Sequence, residues 1–217
     1  MDEKKFAEAS QQYKSGVRSE QITKDILDYY KTRDYAFDDD INNNYISTRA
    51  RWALSGMQHF QPINAKDPKV LDLGSWTGAI PNFYYENGYK DITCVEICDK
   101  GCELAKQLYP HLKYHNESVE DFDLNQKYDI ILGFELLEHV TTPTEFITKY
   151  KNMLTPNGLF LLTLPTADKV FMNPNDHEHI NQIFEADLEA QGFKTTTLVT
   201  ADGNMSWIGA DFVNKGD

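Results

Sequence analysis

The spacing of apolar positions changes once along the chain, between about residue 60 and Lys69. Before that point there is no strand pattern. Ile22, Ile26, Leu27 and Tyr30 recur at helical spacing and predict one amphipathic helix. A second helix is expected from about Asn44 to Phe60. From Lys69 onward, short apolar runs alternate with helical segments. Strands are predicted at Lys69–Leu73, Asp91–Val95, Leu112–His115, Tyr128–Gly133 and Leu159–Leu164. Helices are expected over about 79–88, 99–108, 144–154 and 184–191. Such alternation predicts a parallel sheet with helices on both faces. After Gly192, Phe193–Val199 and Met205–Val213 are joined by a connection too short for a helical crossover, so this pair is expected to be antiparallel. The expected architecture is α/β, a doubly wound and mostly parallel seven-stranded sheet over residues 63–217 with an antiparallel C-terminal hairpin. A helical extension, residues 1–62, precedes it and either packs on the core or caps the site.

Composition narrows the classes of partner. At 217 residues the chain suits one domain with a full-sized core. No apolar run approaches the roughly 20 residues needed to cross a bilayer. The segment Met1–Phe6 lacks the apolar stretch of a secretory signal, so a cytoplasmic location is expected. Cys94, Cys98 and Cys102 are spaced four apart, which is neither a metal pair nor a disulfide framework, and they are expected to be reduced thiols. The chain carries 21 basic and 34 acidic residues, a net charge of −13 that repels phosphate backbones. Its modest basic cluster, Arg33, Arg49 and Arg51, is interrupted by Asp38–Asp40. Nucleic acid is therefore disfavoured as a partner, although a placed arginine can still hold one phosphate. Oligomeric state is not legible in the sequence.

The candidate chemistry begins at the first strand. Val70-Leu71-Asp72-Leu73-Gly74-Ser75-Trp76-Thr77-Gly78 reads as a buried strand, a glycine-bearing turn and a helix start. The glycines suit a sharp turn and a close backbone approach to a ligand. Ligands of open α/β sheets bind outside the carboxyl ends of the strands, where this loop lies. Gly74 and Gly78 do not fit G-x-G-x-x-G, which weakens a nicotinamide reading. The second strand ends on Glu96, a carboxylate able to accept two charge-assisted hydrogen bonds from a ribose diol or to remain a solvated strand end.

Taken together, the loop resembles motif I of class I S-adenosylmethionine-dependent methyltransferases, D/E-x-G-x-G-x-G, with Trp76 in place of the middle glycine. The segment Glu135-Leu136-Leu137-Glu138-His139-Val140 after the fourth strand resembles the corresponding part of many small-molecule methyltransferases of that Rossmann-like fold. The likeness covers about residues 65–200. It implies S-adenosyl-L-methionine as cofactor. Asp72, Gly74, Ser75, Trp76 and Gly78 would hold its amino-acid part, and Glu96 with neighbouring Ile97 its ribose. Glu117, Ser118 and Val119 would meet the adenine, with Phe134 and Glu135 completing the cofactor site.

If Glu135–His139 is helical, Glu135, Glu138 and His139 project on one side and can form part of a divalent-metal site. The alternative is a histidine that packs and hydrogen-bonds locally. The later Asp176-His177-Glu178-His179 adds weight to the metal. The combination E-x-x-E-H with His-x-His is similar to the small-RNA 3′-terminal 2′-O-methyltransferases, whose Mg²⁺ or Mn²⁺ sites imply Glu135, Glu138, His139 and His179 as ligands here. The ubiquinone-pathway O-methyltransferases share the E-x-x-E-H part. Otherwise His177 and His179 line a polar loop in which one acts as general base. The leading expectation is O-methylation of a small molecule, sugar or glycan precursor, with His139, His177 or His179 as base or ligand. The competing expectations are RNA 3′-end methylation and a non-catalytic binding subunit that keeps the fold.

Overall fold

The change of spacing marks the passage from a helical layer to a sheet. The computed structural model describes residues 2–33, 44–59, 66–166, 176–199 and 206–215. Asp38–Asp40, Phe60, Asn175, Met205 and the boundary expected at 62/63 lie outside the described residues. Three helices come first: α1 (Glu3–Lys14), α2 (Glu20–Thr32) and α3 (Asn44–His59). Seven strands follow: β1 (Lys69–Leu73), β2 (Asp91–Val95), β3 (Lys113–His115), β4 (Tyr128–Phe134), β5 (Leu154–Pro165), β6 (Lys194–Val199) and β7 (Ser206–Val213). Helices α4 (Ala79–Glu86), α5 (Asp99–Leu108), α6 (Pro143–Asn152) and α7 (Glu185–Ala190) lie between them.

The sheet order is β3-β2-β1-β4-β5-β7-β6. Strands β1 to β5 pair in parallel, and β7 runs antiparallel to both β5 and β6. Val70, Leu71, Leu73, Ile130, Ile131 and Leu132 are all buried, as strands covered on both faces require. The chain reverses its winding between β1 and β4, so the carboxyl ends of β1, β2 and β4 open on one crevice.

Strand β5 begins earlier than its sequence suggests. Leu154-Thr155-Pro156-Asn157-Gly158 reads as a turn, yet it belongs to the strand. The pairing jumps from Tyr128↔Leu154 to Ile130↔Leu159, so the segment is accommodated as a bulge, with Asn157 at φ 63°.

The N-terminal helices are anchored locally and then by packing. Ser19 caps α2 by accepting the Ile22 amide at 3.2 Å. Phe6, Ala9, Tyr13, Ile22, Ile26 and Tyr30 form a separate apolar cluster with Ile180, and Ile97 packs against it. Helices α1 and α2 therefore lie against the segment around residue 180 and the rim of the crevice. Helix α3 packs elsewhere, its Ala50, Ala53 and Met57 joining the core under β1 and β5. The three cysteines are buried and free. Among the described residues, no helix is long and apolar enough to cross a membrane.

Candidate active site

The loop after β1 takes the path its glycines permit. Gly74 (φ 71°) and Gly78 (φ 81°) sit in the left-handed region. At Gly78 a Cβ would stand 2.5 Å from the Tyr114 hydroxyl, so only glycine fits. Trp76 is left-handed too, at φ 50°, which explains why the corresponding position favours glycine. Its amide donates to Glu96 Oε2 at 2.7 Å, while the Cys98 amide donates to Oε1 at 2.8 Å. These charge-assisted bonds offset the backbone strain and hold the Glu96 carboxylate at the end of β2.

A cavity of about 370 Å³ opens over this loop, a size suited to a small-molecule ligand. Of the residues expected at the cofactor, Asp72, Gly74, Ser75, Trp76, Glu96, Ile97, Ser118, Val119, Phe134 and Glu135 line it. Gly78 shapes the loop without lining the cavity. Glu117 lines an adjoining groove instead, its Oε1 3.7 Å from His115 Nδ1. Glu120, which the sequence did not single out, lines both spaces. It accepts the Thr141 amide at 2.7 Å and so ties the loop after β3 to the loop after β4.

Two buried carboxyls face each other across the floor. Burial, with repulsion from Glu96 added, pushes Asp72 up to about 8, and its Oδ2 has no hydrogen-bond partner among the described residues. Burial also raises Glu96, opposed by the Cys98 and Trp76 amides and by the Arg33 guanidinium. An unpartnered buried carboxyl beside a cavity suits a ligand that brings a cation and hydroxyl donors.

The segment after β4 departs from its expected form. Glu135 turns the chain at φ 47°, and only a single 3₁₀ turn follows, Leu137–His139. Glu135, Glu138 and His139 therefore do not share a helix face. Glu135 accepts from Thr163 Oγ1 at 3.1 Å and pairs with Arg49 at 3.3 Å, which keeps it out of the metal-type cluster. Glu138, His139 and His179 do come together, each offering a ligand atom within 4.8 Å of the others.

The surroundings of that cluster suit a divalent cation. Glu138 is 2% exposed, and neither carboxylate oxygen has a hydrogen-bond partner among the described residues. Burial pushes its carboxyl up to about 8, the response of a charge lacking a counter-ion. His139 is driven down to about 3 by burial, with the His179 and Arg33 charges adding to the effect, so its ring is neutral. Its Nδ1 lies 2.9 Å from the Glu178 carbonyl, which can only accept, and 3.2 Å from the Tyr30 hydroxyl. That contact assigns the proton to Nδ1 and leaves the Nε2 lone pair on the Glu138 side. His179 Nδ1 stands 2.7 Å from Asp176 Oδ2, an ion-pair distance without hydrogen-bond alignment. The Ile180 and Asn181 amides donate to the Glu138 carbonyl at 2.9 and 3.0 Å, docking the His179 segment on the 3₁₀ turn. His177 is not drawn in; its carbonyl accepts Ser10 Oγ at 2.6 Å from α1.

Arg33, Arg49 and Tyr30 line the cavity although no motif marks them. The apolar stripe containing Tyr30 was a usable signal for α2. The arginines carried none, because their partners Glu178 and Glu135 are remote in sequence.

Comparison with known proteins agrees with the fold. The family described as "Methyltransferase domain" matches residues 45–200. The ubiquinone biosynthesis O-methyltransferase of Haemophilus ducreyi is 31% identical over 140 residues, 59% of this chain and 54% of that protein. The chain thus spans about half the length of the relatives it matches. Among solved structures, the N-methyltransferase NodS from Bradyrhizobium japonicum WM9 with S-adenosyl-L-homocysteine has a TM-score of 0.65 at 14% identity, covering 88% of this chain and 97% of that one. The 1,6-didemethyltoxoflavin-N1-methyltransferase of Burkholderia thailandensis has a TM-score of 0.66 at 12% identity, covering 92% of each chain. At these identities the structural likeness shows the fold.

Proposed function

We propose that the chain, which belongs to the methyltransferase-domain family, is an S-adenosylmethionine-dependent O-methyltransferase of a small hydroxylated acceptor. The observation that carries the reading is the pair of buried carboxyls, Asp72 and Glu96, at adjacent strand ends beside a left-handed loop. S-adenosylmethionine supplies an activated methyl group when bound, so the protein's task is alignment of the acceptor and removal of its proton. Asp72 meets the cofactor's ammonium, and Glu96 meets its ribose diol. Ser118 and Val119 border the adenine. Arg49, a buried cation in the same cavity, holds the cofactor's carboxylate.

Support for oxygen as the acceptor atom comes from the cluster beside the cavity and from the relative named an O-methyltransferase. Glu138, His139 and His179 would hold Mg²⁺ or Mn²⁺. When bound, that ion lowers the pKa of an acceptor hydroxyl and suits two neighbouring oxygens, as in a catechol or a sugar diol. The residues themselves divide the remaining work. Tyr30 and the Glu178 carbonyl orient His139, whose depressed pKa makes it a ligand or hydrogen-bond acceptor rather than a base. Asp176 lies 2.7 Å from His179, which would take the hydroxyl proton where no ion is held. Helices α1 and α2 close the site from water.

The test is transfer of radiolabelled methyl from S-adenosylmethionine to a catechol, a monohydric phenol and an aniline, each with Mn²⁺ or a chelator. Transfer to the catechol, reduced by the chelator and lost in Asp72→Ala, is expected. Labelling of the aniline alone would overturn the assignment to oxygen.

A further inference from the structure

The tryptophan that replaces a motif glycine is left unexplained by cofactor binding. Trp76 holds a left-handed backbone, φ 50°, that a glycine would adopt without strain. Its side chain has a definite place. The Arg33 guanidinium lies 5.0 Å from the Trp76 ring centroid and 5.5 Å from that of Tyr30. Arg33 closes the C-terminal end of α2, and its NH1 donates to Glu178 Oε2 at 3.0 Å. The Glu178 carbonyl in turn accepts from Tyr30 at 2.5 Å and contacts His139 Nδ1 at 2.9 Å. One arginine therefore joins the cofactor loop, the helical cap and the segment that carries His179.

We propose that Trp76 and Arg33 form a latch through which occupation of the cofactor cavity fixes the 176–180 segment, making Arg33 a positioning residue for the acceptor side. The inference rests on the cofactor reading above. Trp76 donates to Glu96 through its backbone and holds Arg33 through its ring, so a ligand that fixes Glu96 also fixes the platform beneath Arg33. The guanidinium can transmit that order because it lies over the Trp76 ring while its NH1 bonds Glu178. Lysine offers a point charge and no such plane. The Cys98 Sγ–Arg33 carbonyl contact at 3.7 Å adds a second tie between α2 and the rim after β2.

The experiment is amide hydrogen exchange on the whole chain with and without S-adenosylhomocysteine, for wild type, Arg33→Met, Arg33→Lys and Trp76→Gly. In wild type the ligand is expected to slow exchange both in the loop at 73–79 and at 176–180. In Arg33→Met the loop remains protected and the 176–180 response is lost. Arg33→Lys restores little of it, and Trp76→Gly uncouples the two regions in the same way. Calorimetry on the same proteins should show affinity falling by roughly threefold to tenfold in each variant, the size of one cation–π contact. The Arg33→Met/Trp76→Gly double variant should lose no more than about twofold beyond the weaker single, because both changes remove one contact. Persistent protection of 176–180 in Arg33→Met, no wild-type response there, or multiplying losses in the double variant would overturn the latch. Absence of any ligand binding to wild type would instead remove the cofactor reading beneath it.

Discussion

The Trp76 amide and the Glu96 carboxylate are joined by a 2.7 Å hydrogen bond that spans the ends of β1 and β2. Glu96 thereby has two tasks. It lines the cavity, where the ribose diol of the proposed cofactor would meet it, and it compensates a left-handed residue that is not glycine. Glu96→Ala removes both. Cofactor affinity should fall ten-fold or more, on the order of 1.5–3 kcal/mol for lost charge-assisted bonds. Calorimetry with S-adenosylhomocysteine reads this directly, and unchanged affinity would place the ribose elsewhere.

Under the proposed reading, Asp72 would make cofactor binding proton-linked. With its carboxyl pushed up to about 8, it is mostly protonated at pH 7 in the empty protein. An ammonium group arriving beside it favours the ionised form. Binding should therefore release protons at neutral pH, and affinity should rise as pH increases from 6 towards 8. Titrations in buffers of differing ionisation enthalpy measure that release. Its absence, or its persistence in Asp72→Asn, would detach it from Asp72.

Stability of the empty protein should also depend on pH, and the sign follows from three groups. Asp72 and Glu138 are raised to about 8, so their neutral forms support the fold, and that support is lost as pH climbs from their unfolded values near 4 towards 8. His139, depressed to about 3, acts oppositely and costs stability as pH falls below about 6.5. The effects partly cancel between about pH 4 and 6.5. Thermal midpoints should fall most steeply between about pH 6.5 and 8. A midpoint that rises across that interval would contradict the burial of both carboxyls.

Glu138 separates a binding role from a structural one. Among the described residues it has no hydrogen-bond partner and it ionises only near pH 8, so Glu138→Gln should raise the thermal midpoint of the metal-free protein above about pH 8. The same change should weaken Mn²⁺ binding at least ten-fold, about the contribution of one charged ligand. Isothermal titration with Mn²⁺ and a melting curve on one sample distinguish these effects. Loss of stability with unaltered Mn²⁺ binding would assign Glu138 a purely structural role.

Gly78 tests the loop's shape without touching the ligand. Alanine there must adopt φ 81° and push its Cβ to within 2.5 Å of the Tyr114 hydroxyl. A loss of about 2–4 kcal/mol in unfolding free energy is expected from the two penalties together. An unaltered denaturation midpoint would show that the loop can relax around a side chain.

The strands were legible because parallel strands buried on both faces appear as apolar runs, here each interrupted by one aspartate. Val70–Leu73 and Tyr128–Gly133 show this plainly. That Asp72 and Glu96 border one crevice was legible for the related reason that a doubly wound sheet brings its strand ends together. Other features could not be read. The spacing of Glu135, Glu138 and His139 fits a helix as well as a strand end followed by one 3₁₀ turn, and only the positive φ of Glu135 sends its side chain to Arg49. Pro156-Asn157-Gly158 carries turn chemistry whether it ends a strand or bulges one. The pairing of Arg33 with Glu178 crosses 145 positions and leaves no periodic trace.

The most direct test of the central claim is a calorimetric titration of the wild-type chain with S-adenosylhomocysteine at pH 7, repeated on Glu96→Ala and Asp72→Asn. Wild type should bind one equivalent with release of protons, affinity should be at least ten-fold weaker in Glu96→Ala, and proton release should be abolished in Asp72→Asn. No binding to the wild-type protein, or binding untouched by either substitution, would contradict it.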